Sequence, residues 1–389
     1  MDQSSHSTTR VAHVSTFPPL RCGIASFVSD LISSSPSVEH TAYSLHYGST
    51  ETVGVAGHAY VNSPDSLAKL ARTISASNCD VLCLQHEFGI WGGLDGENIH
   101  AFLDNLTKPL LSVLHTTFGP GVRSGVQNAI VLRLIQQSNV VVVLTDASRN
   151  SVEALCGCHP DRITVVPHGI PDFPYVSPPA IGRTEGGNGD FPLRLVTPGF
   201  FRADKGLELI LHALRTLVDC GHNISYLIAG EPQRQFEGQA PYLSKVERLI
   251  ESLELGSVVH IDARYLSVAE QASRIQAAHL GIFGYQDVAQ ASSGTVPLVM
   301  GMGRPVLCTP FEYAKAKAQE GSGVFITNGF DSVAIADAIG RIMRTNDFGM
   351  LAKSAYDRTR TWSWATVGAT YGDLYRVCAE RGITQSSTD

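Results

Sequence analysis

Several short apolar runs in this sequence end in residues able to position hydroxyl groups or anions. Leu84-Gln-His-Glu-Phe-Gly-Ile-Trp-Gly-Gly93 puts His86, Glu87 and Trp91 directly after a run that reads as a buried strand. His86 and Glu87 suit the orientation of an acceptor hydroxyl, and Trp91 suits stacking on a sugar ring. A capped turn with a structural aromatic is the alternative for the same residues. His115-Thr-Thr-Phe-Gly-Pro120 ends the next run, and an imidazole titrating near neutrality can accept a proton or donate to a substrate oxygen. Two histidine-bearing strand ends in one half of the chain point to a shared polar cleft rather than two unrelated core residues. Val165-Val-Pro-His-Gly-Ile-Pro-Asp172 adds His168, which faces that cleft or serves the turn alone.

Other segments have the chemistry of anion binding. Thr197-Pro-Gly-Phe-Phe-Arg-Ala-Asp-Lys-Gly-Leu-Glu208 offers Gly199, the forked donors of Arg202 and the compact charge of Lys205, all suited to a diphosphate. A solvated loop is the plainer alternative. Tyr285-Gln-Asp-Val-Ala-Gln-Ala-Ser-Ser-Gly-Thr295 leads into an apolar helix. Ser293, Gly294 and Thr295 there present amides and the positive end of the helix dipole, or form an ordinary N-cap. Amides bind phosphate without adding net positive charge. In Pro18-Pro-Leu-Arg-Cys-Gly-Ile-Ala-Ser-Phe27, Gly23 opens another helix and lets a ligand approach the backbone, but the Gly-x-Gly-x-x-Gly of a dinucleotide site is missing.

Positioning these residues requires short buried strands alternating with longer amphipathic stretches, which is the pattern of a parallel sheet wrapped by helices. Strands are predicted over 11–15, 80–84, 110–114, 140–144 and 163–166, and again over 193–198, 224–229, 258–261, 280–283 and 305–308. The segment 177–190, poor in apolar residues and rich in Gly and Pro, is the predicted linker. It separates an N-terminal domain (1–176) from a C-terminal domain (191–360), and the cleft between them is the default ligand site. A last segment, 361–389, contains a helix through Tyr375, with Trp362 and Trp364 as packing residues able to dock it on the N-terminal domain.

A chain of 389 residues fits two domains, and 43% hydrophobic residues, 17% charged residues and 36 glycines fit a globular α/β protein. The net charge of -7 and the lack of basic clusters exclude a nucleic-acid partner. No apolar run approaches the roughly 18 residues that span a bilayer, so a cytoplasmic protein is expected, with at most peripheral membrane contact. Neither Cys79/Cys83 nor Cys156/Cys158 has a second pair to complete a zinc site, and reduced core thiols are expected.

Taken in order from Pro18 to Trp364, these segments resemble the GT-B glycosyltransferases, in particular retaining family 4. The resemblance implies two Rossmann-like domains facing across a cleft. It also implies transfer of a mannose- or glucose-type hexose from a nucleotide diphosphate sugar to an acceptor hydroxyl with retention, without metal or further cofactor. The acceptor is a glycan, a lipid-linked glycan or a small molecule. By the same resemblance, His115, Lys205 and Arg202 act at the reaction centre, with the two cations neutralising the diphosphate. Gly23, Gly199, Gly230, Glu231, Gln290, Ser293, Gly294 and Thr295 then surround the donor, and the residues read above from their own chemistry, His86, Glu87, Trp91 and His168, fall to the acceptor.

Two departures stand out. Many members carry Gly-Arg ahead of Lys-Gly, whereas Phe200 occupies the Arg position here and Arg202 replaces it in part. Many also carry Glu-x7-Glu, but aligning on Gly303-Arg-Pro puts Gln290 and Leu298 at those sites. A nucleotide-sugar epimerase of the same fold and a non-catalytic sugar-nucleotide binder are the alternatives. The motifs select neither base, sugar, acceptor nor oligomeric state.

Overall fold

The computed structural model describes residues 8–48, 52–118, 122–157, 161–180, 191–232, 240–319, 323–344 and 347–386. Cys158 and Pro120 fall outside them. The chain forms two compact units: Met1–Gly169 with Trp364–Asp389, and Ile170–Ser363. In the first unit β1 (Arg10–Ser15), β2 (Glu39–His46), β3 (Gly57–Tyr60), β4 (Val81–His86), β5 (Leu110–Leu114), β6 (Val140–Val143) and β7 (Ile163–Val165) form a seven-stranded sheet, ordered β3-β2-β1-β4-β5-β6-β7. The pairings are all parallel. Helices cover both faces of such a sheet, so β4, β5 and β6 are buried at every position rather than at alternate ones. In β4, Leu82 and Leu84 enter one core with Ala12 and Val14, while Val81 and Cys83 enter another with Phe27, Tyr371 and Tyr375.

The second core of this unit is closed by the helices Gly23–Ser34 and Trp364–Ser386. Their backbones approach closely, since a Cβ on Gly368 would lie 2.0 Å from the Ser34 carbonyl oxygen. The first helix begins at Cys22, whose Sγ accepts from the Ala25 amide at 3.3 Å.

The second unit repeats the design with β8 (Leu193–Pro198), β9 (Ile224–Gly230), β10 (Val259–Ala263), β11 (Leu280–Phe283), β12 (Val306–Cys308) and β13 (Val324–Ile326). Its sheet is ordered β10-β9-β8-β11-β12-β13, again parallel. In each sheet the strand order reverses once, between β1 and β4 and between β8 and β11. The crevice beyond the carboxyl ends of strands at such a reversal is where open α/β sheets bind ligands.

The division falls at Gly169/Ile170, ahead of the predicted linker, most of which lies outside the described residues. Hydrogen bonding explains the shift. The buried Arg304 guanidinium donates to the Val176 carbonyl at 2.9 Å, and His279 Nε2 donates to the Pro179 carbonyl at 3.1 Å, so 170–180 is fastened to the second unit. The return crossing falls between Ser363 and Trp364 rather than at 360/361. The two tryptophans therefore serve different units: Trp362 is buried in the core of the second, and Trp364 packs on Phe27 in the first.

Candidate functional site

In the second unit, the strand-end loops at the β8/β11 reversal touch backbone to backbone. Gly199, with φ of 110°, follows β8, and Gly230, with φ of 150°, ends β9. A Cβ on Gly230 would lie 2.0 Å from the Gly199 carbonyl oxygen, and one on Gly206 would lie 1.8 Å from that of Gly284. Glycine is required at both positions, because these φ values and these approaches exclude any side chain. Both contacts hold the loop 199–206 close to the ends of β9 and β11.

Lys205 and Tyr285, from segments far apart in sequence, meet there. Lys205 Nζ sits 3.9 Å from the centroid of the Tyr285 ring, which is buried. The Tyr285 hydroxyl bonds Thr295 Oγ1 at 2.8 Å, and Thr295 Oγ1 lies 3.3 Å from Ser293 Oγ. Ser293 Oγ in turn accepts from the Val296 amide at 3.3 Å. A Cβ on Gly199 would come within 2.8 Å of Thr295 Cγ2. Gly199, Lys205, Ser293 and Thr295 therefore form one cluster containing a cation and hydroxyls, while the Gly199 amide is taken up by the Ala229 carbonyl at 2.9 Å. Gly294, exposed, is the N-cap of the following helix, Thr295–Gly301. That helix has only seven residues, so its dipole contributes less than the sequence implied, and hydroxyl groups carry more of the polarity.

Arg202 is placed differently from the expectation of a free cation. Its guanidinium grips the Asp204 carboxylate, Nε at 2.7 Å and Nη2 still closer. Burial works to raise the Asp204 carboxyl, but the Arg202 hydrogen bonds and the charges of Lys205 and Arg202 outweigh it and hold the group below its ordinary range. Asp204 thus meets Arg202's charge from within the loop. Gln290 folds on its own turn, Nε2 donating to the Ser292 carbonyl at 3.0 Å, and the buried Glu231 uses its carbonyl to pair with the Phe201 amide at 2.9 Å.

In the first unit, strand alternation separates residues that the sequence grouped. His115 and His168 share the face covered by the Gly23–Ser34 helix, and both meet Phe27 edge-on, with centroids at 4.7 and 5.1 Å. Trp364 completes this aromatic group at 5.3 Å from Phe27. His86 does not join it. Its neighbour Gln85 reaches His115, Oε1 to Nε2 at 2.8 Å, so alternation turns His86 to the opposite face, against Phe88. There the His86 ring is fully buried, with neither nitrogen hydrogen-bonded among the described residues, and burial pushes its pKa down to about 3. The expected shared cleft of His86 and His115 is thus not formed, and His115 instead shares Phe27 with His168.

Trp91 is not a stacking platform. It is fully buried, donates from Nε1 to the Gln85 carbonyl at 3.1 Å and meets Phe102 at 5.5 Å, because Gly92 and Gly93 with positive φ fold the loop inward. Glu87, half-buried, accepts from Thr116 Oγ1 and from the Phe88 amide. Gly23 is exposed at the helix start, with nothing within 4 Å of an added Cβ. Packing therefore does not demand glycine there.

His115 and His168 are not near-neutral acids. Burial, then the charges of His168 and His86, push His115 down to about 3, and burial lowers His168 despite its bond to the Gly169 carbonyl. Both rings are neutral at pH 7, so they serve as hydrogen-bonding groups. Residues that the sequence reading overlooked are Gln85, Asp204 and Tyr285. The available signal was Gln85, the first polar residue after the apolar run Val81–Leu84. Among the described residues no group of three His, Cys, Asp or Glu side chains could hold a metal ion, and no helix is long and apolar enough to cross a membrane.

Residues 33–172 match the family model described as Glycosyltransferase Family 4. D-inositol 3-phosphate glycosyltransferase of Corynebacterium urealyticum is 26% identical over 253 residues, a match covering 63% of this chain and 58% of that relative's length. Among solved structures, HepE of Anabaena with UDP and glucose superposes with a TM-score of 0.71 at 13% identity, covering 95% of this chain and 99% of its own. Sucrose-phosphate synthase of Thermosynechococcus elongatus gives 0.71 at 14% identity, covering 95% and 98%. With its two parallel-sheet Rossmann-like units, the chain has the GT-B fold, and its match to the Glycosyltransferase Family 4 model lies almost wholly in the first unit.

Proposed function

We propose that this chain is a retaining glycosyltransferase that moves a mannose- or glucose-type hexose from a nucleotide diphosphate sugar to an acceptor hydroxyl. The observation that carries the reading is the convergence of Lys205, Tyr285, Thr295 and Ser293 on the glycine-packed loops of the β8/β11 reversal. The named relative is a glycosyltransferase, and HepE was solved with UDP and glucose, which supports the same chemistry here.

In this reading the bond from the sugar's anomeric carbon to the diphosphate oxygen breaks as the acceptor oxygen bonds the same carbon on the same face. The acceptor's proton passes to the departing diphosphate oxygen, so no protein nucleophile is used. Lys205 supplies the positive charge that stabilises this leaving group, preorganised over a buried ring so that little rearrangement accompanies the reaction. The Ser293 and Thr295 hydroxyls, with the backbone at Gly294, hold the phosphate oxygens, and Gly199 leaves room for their approach. Arg202 joins them when the diphosphate competes with Asp204 for its guanidinium. Gly230 and Glu231 lie toward the base, and Gln290 toward the sugar. In the first unit, His115, His168 and the Gly23 turn are the groups proposed to bind sugar. Because Lys205 and Arg202 supply the charge, chelators should leave turnover unchanged.

The test combines thermal shift with UDP, GDP, ADP and TDP and release of nucleoside diphosphate from the matching hexose donors. Lys205→Ala is expected to lower turnover about 100-fold while leaving the melting temperature within about 2 °C. Failure to release nucleoside diphosphate from any donor would sink the proposal, and a changed free sugar formed without acceptor would identify an epimerase instead. The anomeric configuration of the product decides retention.

A further inference from the structure

The hydrogen bonds around Phe27 fix the protons on two imidazoles. Gln85 Oε1 has lone pairs only, so the contact at 2.8 Å makes His115 Nε2 the donor. The neutral ring carries one proton, and Nδ1 of His115 is therefore a bare acceptor. For His168 the carbonyl of Gly169 accepts at 2.7 Å, so Nδ1 is the donor and Nε2 is bare. Gln85 is itself fully buried, and its Nε2 lies 3.5 Å from Cys83 Sγ, which braces the amide in the orientation that presents its oxygen to His115. The titratable groups bearing on His115 are His168 and His86, and neither supplies a negative charge that would favour a second proton.

We propose that Gln85 is a positioning residue that holds His115 as its Nε2–H tautomer. His115 Nδ1 and His168 Nε2 then form an acceptor-only pair beside Phe27, which takes hydroxyl donors of a sugar and rejects anionic oxygens. This rests on the glycosyl-transfer reading for the source of the hydroxyl, and it deepens that reading by restricting what the first unit binds. A hydroxyl donates to each lone pair, whereas a phosphate or carboxylate oxygen would set lone pair against lone pair. An imidazole could accommodate such an anion only by protonating, and burial opposes that. An uncharged sugar is therefore the ligand class for this face, with a phosphorylated group excluded from contact with these two rings.

The test is long-range proton–nitrogen NMR of the intact, uniformly labelled protein, with the His115 signals assigned by their loss in His115→Asn. The expected result is a protonated Nε2 and a bare Nδ1 on His115. Gln85→Met, similar in shape but lacking an acceptor, should redistribute that proton and lower kcat about tenfold. Gln85→Glu should keep the Nε2–H form, retain turnover near neutral pH and move the acid limb of the pH profile upward, because a carboxylate favours the doubly protonated ring. Glucose shifting His115 Nδ1 would assign the hydroxyl to the acceptor, and a shift only with UDP-glucose or GDP-mannose would assign it to the donor hexose. A Nδ1–H tautomer in the wild type, an unchanged tautomer in Gln85→Met, a shift with inorganic phosphate, or no shift with any of the sugars would overturn the proposal. The tautomer measurement requires no turnover, so it separates failure of this inference from failure of the transferase reading.

Discussion

The two strand-order reversals are built from different materials. In the second unit backbone meets backbone: Gly206 lies on the Gly284 carbonyl, Gly230 on that of Gly199, and Lys205 is placed by the loop these contacts hold. In the first unit ring meets ring, with Phe27 at the centre of His115, His168 and Trp364. Backbone contacts tolerate no added atom, whereas side-chain clusters relax by rotating about χ angles. A charged phosphate calls for a rigid cradle, and a hydroxyl calls for correctly oriented lone pairs.

The contrast breaks most readily at glycine. Gly206→Ala forces a methyl group to 1.8 Å from a carbonyl oxygen at φ of 63°, and should destabilise the second unit by about 4 kcal/mol or more in denaturant titration, with loss of nucleotide binding. Equal stability of variant and wild type would refute the tight-loop account.

Acid should strike through the first unit next. His86 and His115 are buried neutral, with pKa values pushed from the ordinary 6.5 to about 3, and His13 is lowered well below 6.5 as well. The unfolded chain takes up these protons first, so their contribution is intact above about pH 6.5 and is lost progressively as pH falls toward 3. Each unit of downward shift traversed costs about 1.4 kcal/mol, giving a loss of several kcal/mol over that window. Denaturation midpoints followed from pH 7 to pH 4 check this, and His86→Phe should flatten the dependence.

The smallest effect sharpens the comparison. Gly23→Ala meets nothing within 4 Å and replaces glycine in the first turn of a helix, so stability should hold or rise by up to about 1 kcal/mol. A fall in turnover without a fall in stability would report ligand approach to that backbone, in contrast to the purely steric demand at Gly206.

Much of the fold was legible because buried parallel strands leave apolar runs in the sequence. The predicted strands 110–114, 193–198 and 280–283 coincide with β5, β8 and β11. The strands left unread carry a weaker signal. In β2, Glu39-His-Thr-Ala-Tyr-Ser-Leu-His46 is half polar, since His40 bonds the buried His13 and only the final four residues are buried; β3 and β13 are short edge strands. At the candidate site, the strand ends bearing His115, Lys205 and Thr295 were visible as polar residues after apolar runs. The inward turn of Trp91 was not, because it depends on positive φ at Gly92 and Gly93 and on a carbonyl reached across the loop.

Sequence alone determined the alternation of strand and helix, the two α/β halves and the residue types at the strand ends, because hydrophobic periodicity and turn residues act locally. Tertiary structure decided which of those residues meet. It paired His115 with His168 rather than His86, neutralised Arg202 with Asp204, placed Lys205 over Tyr285 and oriented His115 through Gln85. These outcomes depend on which face of a strand a side chain takes and on contacts between residues distant along the chain. Neither is encoded in the spacing of the residues that make them.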